Sequence, residues 1–526
     1  MHPHPDRQPF PDRPRRTGGA RFRDRRSVLL PAPEGRPRAS GEGPAVAVVG
    51  GGVAGLAAAT GLAERGARVT LYEREPVLGG RLAGWPIRLA DGSAATMSRG
   101  FHAFFRQYYN LRALLCRTDP GLDRLRPLPD YPLLHRDGRT DGFARVPRTP
   151  PWSALGFVAL SPSFGWRDLG RMDVRAALPL FDVRVPEVYA RLDATDARAY
   201  LERIRFPAAA RHLAFEVFSR SFFADPRELS AAELALMFHV YFLGSAEGLL
   251  FDVPTEPFPT ALWEPLARYL GGLGVTVRTE CPVTTVVPVD DGSEGLALTA
   301  DARTVRYDAA VLALDGGGLR RLVGASPLLG DPSWRARVLG SREAPPFLVS
   351  RYWLDRPVAP GRPGFLGTGG FASLDNVSVL DRWEGEAARW AARSGGSVVE
   401  LHAYALAPHA DRAAEQDRLL RQLHRVYPET ARARVVDQRH EWRADCPLFP
   451  VGGYRDRPTV RTPHPALVLA GDQVRTDLPV ALMERAATTG FLAANALLAR
   501  WGVRGHALRT VPRRGRAPLL RALAGG

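Results

Sequence analysis

The sequence predicts an α/β fold in which a Rossmann-like nucleotide-binding domain is discontinuous and carries an inserted α+β domain. Two observations predict this fold. A strand, a glycine-rich turn and a helix open the folded part at residues 46–63. A buried strand followed by an alanine-rich helix then returns far along the chain, at residues 466–498. Because both segments suit the same kind of ligand site, we expect these two parts of the chain to meet.

The opening unit has the pattern of a dinucleotide-binding turn. Residues 46–49 are an apolar run typical of a buried strand. Three glycines follow at G-x-G-x-x-G spacing: Gly50, Gly52 and Gly55. The first permits a tight turn, the second lets backbone amides approach a pyrophosphate, and the third lets the next helix pack on the strand. Val53 and Ala54 begin that helix, whose N-terminus favours an anion.

A second strand at residues 68–72 ends in Glu73, at the place where such units carry an acid. A carboxylate there can accept hydrogen bonds from the adenosine ribose hydroxyls. A glycine triplet alone is weak evidence, since glycine-rich turns that bind nothing are common. The strand, turn, helix, strand and terminal acid together predict a bound dinucleotide.

The returning segment decides between FAD and NAD. Residues 466–470 read as a buried strand, with Gly471 and Asp472 at its C-terminal edge, where open α/β sheets bind ligands. Residues 478–498 have a helical pattern, and Pro479 is acceptable in a first turn. The helix N-terminus can face a flavin, and Asp472 can accept a hydrogen bond from a ribityl hydroxyl. A nicotinamide enzyme needs no such segment, so we predict FAD as the cofactor.

Several motifs resemble the FAD-dependent amine oxidase and carotenoid desaturase superfamily. They are GGR at residues 79–81, GD at 471–472 and LMERAATTG at 482–490. GFHAFFRQYYNLRALL, at residues 100–115, resembles a segment of phytoene and ζ-carotene desaturases. The longer string MSRGFHAFFRQYYNLRALL is most similar to the carotenoid φ-ring synthases, or isorenieratene synthases. The likeness covers approximately residues 45–500.

This resemblance implies a Rossmann-like domain of the glutathione-reductase type and a set of residues in contact with FAD. The set is Gly50, Gly52, Val53, Ala54, Gly55, Glu73, Arg74, Gly80, Arg81, Val283, Gly471, Asp472 and Met483. Val283 belongs to it because residues 279–283 resemble the strand whose backbone holds adenine. Arg81 is expected to pair with the pyrophosphate. Arg99 and Arg106 either do the same or form buried ion pairs.

The resemblance also implies a substrate and a reaction. A φ-ring synthase converts the β-ionone end ring of β-carotene into a trimethylphenyl ring, which removes four hydrogens and moves one geminal methyl to the adjacent carbon. Each ring then needs two flavin oxidations and passes through a cationic stage. Aromatic faces stabilise cations. The segment expected near the flavin is rich in rings: Phe101, Phe104, Phe105, Tyr108 and Tyr109.

A base must finally remove a proton, and His102 is the candidate catalytic residue because an imidazole can accept a proton near neutral pH. A hydrogen-bonded core histidine is the alternative interpretation. Other FAD enzymes of the superfamily stay open, namely a linear-carotene desaturase, an isomerase or an amine oxidase. An amine oxidase is expected to carry a lysine near the flavin, and this chain has no lysine. A flavin-binding protein without catalysis is the remaining alternative.

Charge is concentrated at the two ends of the chain. The net charge is +16, and all 71 basic residues are arginine, which we attribute to a GC-rich genome; no nucleic-acid partner is expected. Residues 1–43 hold ten arginines, five acids and eight prolines, the composition of a disordered tail. Residues 501–526 hold six arginines and no acid. Such a basic tail can lie on an anionic membrane or be solvated.

The pattern divides the chain into two interleaved domains. Residues 44–105, 251–320 and 455–500 are assigned to the FAD-binding domain. Residues 106–250 and 321–454 are assigned to the substrate domain, whose first part is largely helical and whose second part has more strand character. The clearest predicted elements are strands at 274–278, 283–287, 295–299, 308–314, 346–353 and 397–403, and helices at 195–205, 230–242 and 411–427.

Aromatic residues and cysteines carry the remaining expectations. The first insertion contains many rings, which pack a core or line an apolar tunnel: Trp152, Phe157, Phe164, Trp166, Phe215, Phe218, Phe222, Phe223, Phe238, Tyr241 and Phe242. The three cysteines form no C-x-x-C pair and no metal spacing, so we expect a reducing compartment and no metal. No export signal or spanning segment is predicted. We expect a cytoplasmic protein, with peripheral contact to the inner face of the cell membrane as an option.

Overall fold

The computed structural model describes residues 24–211, 213, 223–289 and 294–524 of the chain. Within these ranges the strands, in chain order, are β1 (Val28–Leu30), β2 (Ala45–Val49), β3 (Arg68–Tyr72), β4 (Gly84–Arg88), β5 (Ala94–Ser98), β6 (Phe104–Phe105), β7 (Leu125–Pro127), β8 (Leu133–His135), β9 (Thr140–Asp141), β10 (Phe251–Pro254), β11 (Thr276–Arg278), β12 (Val283–Pro288), β13 (Leu296–Ala300), β14 (Arg303–Tyr307), β15 (Ala309–Leu312), β16 (Phe347–Leu354), β17 (Phe365–Gly369), β18 (Asn376–Val379), β19 (Ser397–Ala403), β20 (Val435–Arg443), β21 (Leu467–Leu469) and β22 (Leu508–Thr510).

The helices of the same ranges alternate with these strands. They are α1 (Val53–Ala63), α2 (Tyr109–Leu115), α3 (Trp152–Leu160), α4 (Trp166–Leu169), α5 (Val174–Ala177), α6 (Glu187–Leu192), α7 (Ala197–Arg203), α8 (Ala231–Phe238), α9 (Glu264–Gly272), α10 (Gly316–Gly324), α11 (Pro332–Leu339), α12 (Gly385–Ser394), α13 (Arg412–Val426), α14 (Leu482–Arg500) and α15 (Pro518–Ala524). The predicted helices at 195–205 and 411–427 are confirmed as α7 and α13. The one predicted at 230–242 is confirmed as α8, which continues to Leu243 as a wide π turn.

A five-stranded parallel sheet lies at the centre of the nucleotide-binding half, in the order β11-β3-β2-β15-β21. Its middle strands are buried on both faces, which is why they read as continuous apolar runs rather than alternating ones. Pieces that are far apart in sequence therefore pair side by side, with Ala310 opposite both Ala47 and Leu467. The predicted strands of this sheet are confirmed to within a few residues.

Helices α1 and α14 bring the first and last parts of this half into close contact. A side chain on Gly490 would place its Cβ 2.3 Å from the carbonyl oxygen of Ala54, and one on Gly61 would lie 2.9 Å from the Cβ of Ala494. These glycines let the two helix backbones approach each other. Helix α14 begins at Leu482, later than the predicted 478, because Ala481 is extended and Leu482 has a positive φ of 52°.

An antiparallel sheet and a mixed sheet, in which only β8 and β17 pair parallel, complete the layers. Strands β12, β13 and β14 form a small meander. A seven-stranded sheet has the order β20-β16-β19-β18-β17-β8-β9, so strands from both insertions share it. From the helical region of α3 to α8, Met237 of α8 and Tyr241 and Phe242 of the following π turn line the cavity that is described below. Of the rings predicted in this region, Phe215, Phe218 and Phe222 lie outside the described residues.

The two chain ends differ from the expected tails at 1–43 and 501–526. Strand β1 pairs antiparallel with β22, and Arg516 donates to Asp24 at 2.7 and 2.9 Å in a buried ion pair. Val503 and Val511 are buried as well. Residues 24–43 and 501–524 are thus part of the folded structure, since each supplies the other with a strand partner and a counter-charge; the arginine-rich composition concealed this. Residues 1–23 lie outside the described ranges.

Candidate functional site

The glycine turn between β2 and α1 is shaped by the packing of its backbone. Gly50 has a φ of 110°, and a Cβ there would lie 2.3 Å from the carbonyl oxygen of Ala313. A Cβ on Gly55 would lie 1.8 Å from the carbonyl oxygen of Gly50. The fold itself therefore requires glycine at both positions. Gly55 serves helix packing and does not line the cavity, unlike the other predicted contacts.

Gly52 differs from its two neighbours. An added Cβ would meet only the Cα of Gly80, at an ordinary 3.7 Å, and its φ of −77° suits any residue. Gly52 is the N-cap of α1, and no side chain caps the amides of the first turn, where Val53 and Ala54 line the cavity. Uncapped amides and open space are what a pyrophosphate needs, so this turn fits a dinucleotide.

Glu73 anchors the same turn from the end of β3. Its carboxylate accepts from the amide of Gly51 at 2.6 Å and from that of Glu75 at 2.9 Å, and the residue is buried. Arg74 follows at the rim, where its guanidinium donates to Glu75 and lies 3.8 Å from Asp315. The acid is thus fixed within reach of the cavity.

The two motifs from opposite parts of the chain meet beside this turn. The amide of Gly79 donates to the carbonyl of Gly51 at 2.9 Å, and Gly80 has a φ of 58°. Arg81 then donates to the carboxylate of Asp472 at 2.5 Å. Burial opposes the charge of Arg81, but the nearby Asp472 outweighs it and raises the pKa of the guanidinium further. Arg81, the predicted pyrophosphate contact, and Asp472, the predicted ribityl contact, therefore form an ion pair with each other.

One large cavity of about 890 Å³ runs from the glycine turn to the seven-stranded sheet. It brings together all the predicted site residues except Gly55: Gly50, Gly52, Val53, Ala54, Glu73, Arg74, Gly80, Arg81, His102, Val283, Gly471, Asp472 and Met483. Val283 sits at the start of β12, and Met483 sits in the first turn of α14. At the strand edge, Gly471 has a φ of 152°, and its amide donates to Thr489 at 2.9 Å.

His102 lies in the cavity wall and its tautomer is defined by its neighbour. Nδ1 is 2.9 Å from the carbonyl oxygen of Gly100, so Nδ1 carries the proton and Nε2 carries the lone pair. Its ring stands edge-on to Phe258. Burial lowers the pKa of His102 to about 4, although the hydrogen bond to Gly100 acts in the opposite direction. The imidazole is therefore neutral near pH 7.

An aromatic wall forms the far end of the cavity. Phe101 stacks on Phe365 with a centroid distance of 4.4 Å, and Phe251 lies edge-on to Phe101, Phe105 and Phe365 at 5.3 to 5.6 Å. Tyr131 adds a ring 5.0 Å from Phe251. Of the rings predicted in the 101–109 segment, Phe101, Phe105 and Tyr108 line the cavity, whereas Phe104 and Tyr109 are buried behind it.

The other two arginines that were expected near the pyrophosphate form ion pairs. Arg99 reaches the cavity and pairs with Asp445. Arg106 lies outside the cavity lining and donates to Asp252 at 3.3 Å, while Arg112 holds the other oxygen of that carboxylate at 2.8 Å. The ion-pair alternative is thus the one the structure favours for Arg106.

Comparisons with known proteins place the chain in a family. The model of the flavin containing amine oxidoreductases matches residues 53–498. A carotenoid phi-ring synthase of Streptomyces griseus is 73% identical, over 95% of this chain and 97% of that protein. A carotenoid phi-ring synthase of Chlorobaculum tepidum is 29% identical, over 89% of this chain and 90% of that protein.

The chain belongs to the flavin-containing amine oxidoreductase family. A solved structure of wild-type putrescine oxidase bound to putrescine covers 87% of this chain at a TM-score of 0.64 and 17% identity, with 99% of its own chain aligned, which supports the fold. The protein is therefore a flavin-dependent oxidoreductase with mixed α/β architecture. In the described part of the chain, no helix combines the length and apolarity needed to span a membrane.

Residues of this oxidoreductase that the sequence did not reveal lie on the seven-stranded sheet and beside it. His402 and Tyr404, at the end of β19, line the cavity, and so do Phe251 and Phe365. No motif marks them, and single aromatic or histidine residues in strands are common in cores. The alternation of Glu400 and His402 on one face of a predicted strand was the available signal.

Proposed function

We propose that this protein uses FAD to desaturate the β-ionone end ring of β-carotene and to move one methyl group, giving an aromatic φ-ring as in isorenieratene. The observation that carries the proposal is the aromatic-walled cavity, which is continuous with the glycine turn in a chain 73% identical to a carotenoid phi-ring synthase. A hydrophobic carotenoid is the substrate class that such a wall suits.

The FAD contacts are assigned residue by residue. The uncapped amides of Val53 and Ala54 would hold the pyrophosphate, and Glu73 would accept from the adenosine ribose. The strand that begins at Val283 would hold adenine. Arg81, Asp472 and Met483 would hold the flavin end of the cofactor. When bound, the flavin supplies the two-electron oxidations that each ring requires.

The protein's own side chains bind the substrate ring, exclude water from it and stabilise positive charge. The faces of Phe101, Phe251 and Phe365 offer cation–π stabilisation to a carbocation formed during methyl migration. His102 keeps a lone pair on Nε2, so it is available as a hydrogen-bond acceptor in the wall. Its buried, uncharged state avoids repulsion of a cationic substrate.

Two structural assignments accompany this function. The FAD-binding domain comprises residues 44–105, 251–320 and 455–500, and the substrate domain comprises 106–250 and 321–454. The support is that strands of the first three ranges share the parallel sheet, whereas strands from both insertions share the seven-stranded one.

Peripheral contact with a membrane would give the enzyme access to a lipid-dissolved substrate. Leu519 and Leu523 lie four residues apart on α15 and are 73% and 56% exposed. Helix α15 packs on the turn at 178–182. Trp152, in α3, is 63% exposed and adds a third large apolar side chain to the helical part of the chain. Arginines of the C-terminal segment supply the charge that attracts anionic lipids.

The alternative is another FAD-dependent enzyme of the superfamily, such as a linear-carotene desaturase or an isomerase. Mixing the purified flavin-loaded protein with β-carotene, without oxygen, separates the possibilities. Loss of the oxidised flavin absorbance with β-carotene, and none with acyclic ζ-carotene, is the expected result. Loss with ζ-carotene alone would support a linear-carotene desaturase. No loss with either carotene would favour an isomerase, whose reaction transfers no net electrons, or a non-catalytic flavoprotein.

A further inference from the structure

A buried chain of hydrogen bonds runs along β19 and ends in the cavity. Arg351 donates to Oε2 of Glu400 from two nitrogens, at 2.9 and 2.6 Å. Glu400 Oε1 lies 2.9 Å from Nε2 of His402, and His402 Nδ1 lies 2.7 Å from the hydroxyl of Tyr404. Arg351, Glu400 and His402 are at most 3% exposed. At the cavity end of the chain, His402 and Tyr404 line the wall.

The direction of each hydrogen bond follows from the groups involved. Burial opposes the charge of Glu400, but Arg351 and His402 outweigh it and lower the pKa of Glu400 to about 2, so the carboxylate only accepts. The amide of Phe101 donates to Glu400 Oε1 at 2.8 Å and lies 3.2 Å from His402 Nε2. Because the carboxylate can only accept, its 2.9 Å contact with Nε2 assigns the His402 proton to Nε2, which leaves Nδ1 as an acceptor for the hydroxyl of Tyr404. Burial raises the pKa of Tyr404, so its proton is present to be donated.

Asn376 completes the surroundings of the phenol. Its Nδ2 donates to the Tyr404 oxygen at 3.1 Å. With Asn376 as donor and His402 as acceptor, the oxygen retains one lone pair, as a hydroxyl has two. Phe223 lies edge-on to the Tyr404 ring, 4.8 Å between centroids, on the cavity side. The arrangement is that of an oxygen oriented by a base that is itself oriented by a carboxylate.

The two histidines of the cavity differ in the partner of the proton-bearing nitrogen. In His102 that nitrogen faces a neutral backbone carbonyl, whereas in His402 it faces the ionised Glu400. An imidazolium gains far more from a carboxylate than from a carbonyl in a buried site. A proton taken from the substrate is therefore better held at His402 than at His102, the residue predicted from the sequence.

We propose that Tyr404, backed by His402 and Glu400, is the proton acceptor that completes each desaturation of the substrate ring. The inference rests on the proposed function. In the step, a C–H bond next to the cationic carbon breaks and its electron pair becomes a ring double bond. The proton forms a bond to the Tyr404 oxygen while the phenolic proton passes to Nδ1 of His402. Glu400 stabilises the resulting imidazolium, and Arg351 keeps Glu400 in place.

The test compares Tyr404→Phe with Tyr352→Phe in the flavin-loaded protein. Tyr352 is a buried tyrosine of β16 in the same sheet, outside the cavity lining, so it is a matched control. Two quantities are measured with β-carotene: the single-turnover loss of oxidised flavin absorbance and the yield of aromatic end rings. We expect Tyr404→Phe to bind flavin normally and to lower the aromatic yield about a hundredfold, the usual contribution of general acid–base catalysis.

The second variant is Glu400→Asp, compared with Glu400→Gln. Because the imidazolium needs a negative partner, Asp should restore more of the aromatic yield than Gln does, at equal flavin content and thermal stability. A full yield of aromatic end rings in Tyr404→Phe would overturn the inference. So would a loss of aromatic yield in His102→Gln while the Tyr404 and Glu400 variants keep theirs. Absence of any aromatic product from the unmodified protein would instead refute the proposed function, so the two failures are distinguishable.

Discussion

The guanidinium of Arg81 donates to the carboxylate of Asp472 at 2.5 Å, across 391 residues of sequence. Arg81 comes from the GGR motif near the first strand pair, and Asp472 from the GD motif after β21. Their contact closes the cavity between the glycine turn and the N-terminus of α14. The two separated motifs therefore contribute to one cavity, and the assigned cofactor site needs both of them.

Replacing Asp472 with Asn should weaken flavin binding while the fold is retained. The variant keeps the side-chain shape but leaves the partly buried Arg81 without its counter-charge. We expect the dissociation constant of FAD to rise about tenfold, or roughly 1.4 kcal/mol. The control is Asp355→Asn, which removes a carboxylate from an exposed pair with Arg434. Equal FAD affinity in Asp472→Asn and the unmodified protein would contradict the assignment.

A second prediction concerns the glycine turn. Gly52→Ala adds a methyl that meets no protein atom closer than 3.7 Å, so the protein should fold normally. The methyl occupies the space that we assign to the pyrophosphate, so the purified variant should lose FAD. Gly55→Ala places its methyl 1.8 Å from a carbonyl oxygen and should instead destabilise the fold. FAD content and thermal unfolding measure both effects; a folded Gly52→Ala protein with full FAD stoichiometry would refute the cofactor site.

The buried acid Glu233 gives a prediction about stability. Its carboxylate forms ion pairs with Arg457 and Arg485, and a guanidinium nitrogen of Arg485 lies 3.1 Å from Oε2. Oε1 accepts a hydrogen bond from the hydroxyl of Tyr189 at 2.9 Å. Glu233→Gln leaves two buried cations without a carboxylate and should cost about 3–5 kcal/mol in the free energy of unfolding. Glu202→Gln, in an exposed pair on α7, should cost less than about 0.5 kcal/mol.

The effect of Glu233→Gln should also depend on pH. Burial alone would raise the pKa of Glu233, but Arg457 and Arg485 lower it to about 2. A depressed pKa stabilises the folded state above the unfolded carboxyl pKa of about 4.3, and this stabilisation is lost as the pH falls towards 2. Denaturant titrations at pH 7 and pH 3 should therefore show a smaller difference between the two proteins at pH 3. An equal difference at both values would contradict the charged state of Glu233.

The membrane surface is tested on α15. Replacing both Leu519 and Leu523 with Ser removes two exposed apolar side chains, each worth about 1.5 kcal/mol or more when buried. Co-sedimentation with vesicles that contain anionic lipid should fall about tenfold or more. Leu328→Ser removes an equally exposed leucine, 70% accessible, between α10 and α11 and should leave co-sedimentation unchanged. Equal co-sedimentation of the two variants would contradict a membrane contact through α15.

Local patterns predicted the parallel sheet and most of the residues that meet at the glycine-turn end of the cavity. The glycine turn, Glu73 and the GD motif depend on short stretches of backbone, so their geometry follows from spacing. The ordered chain ends did not follow, because β1 and β22 have only three residues each and lie among arginine-rich sequence, and each finds its strand partner at the opposite end of the chain. The polar chain through His402 was equally hidden, since it forms only when β16 and β19 pair and bring Arg351 opposite Glu400.

The most direct test of the account is the identity of the product in a bacterial host that makes β-carotene. The pigments of cells with the unmodified protein, and of cells with Gly52→Ala as the control, are separated and analysed by mass and absorption spectra. We predict end rings that have lost four hydrogens and become aromatic, with the methyl group moved to the adjacent carbon, in the first strain only. Unchanged β-carotene beside a folded, flavin-loaded protein would contradict the proposed reaction.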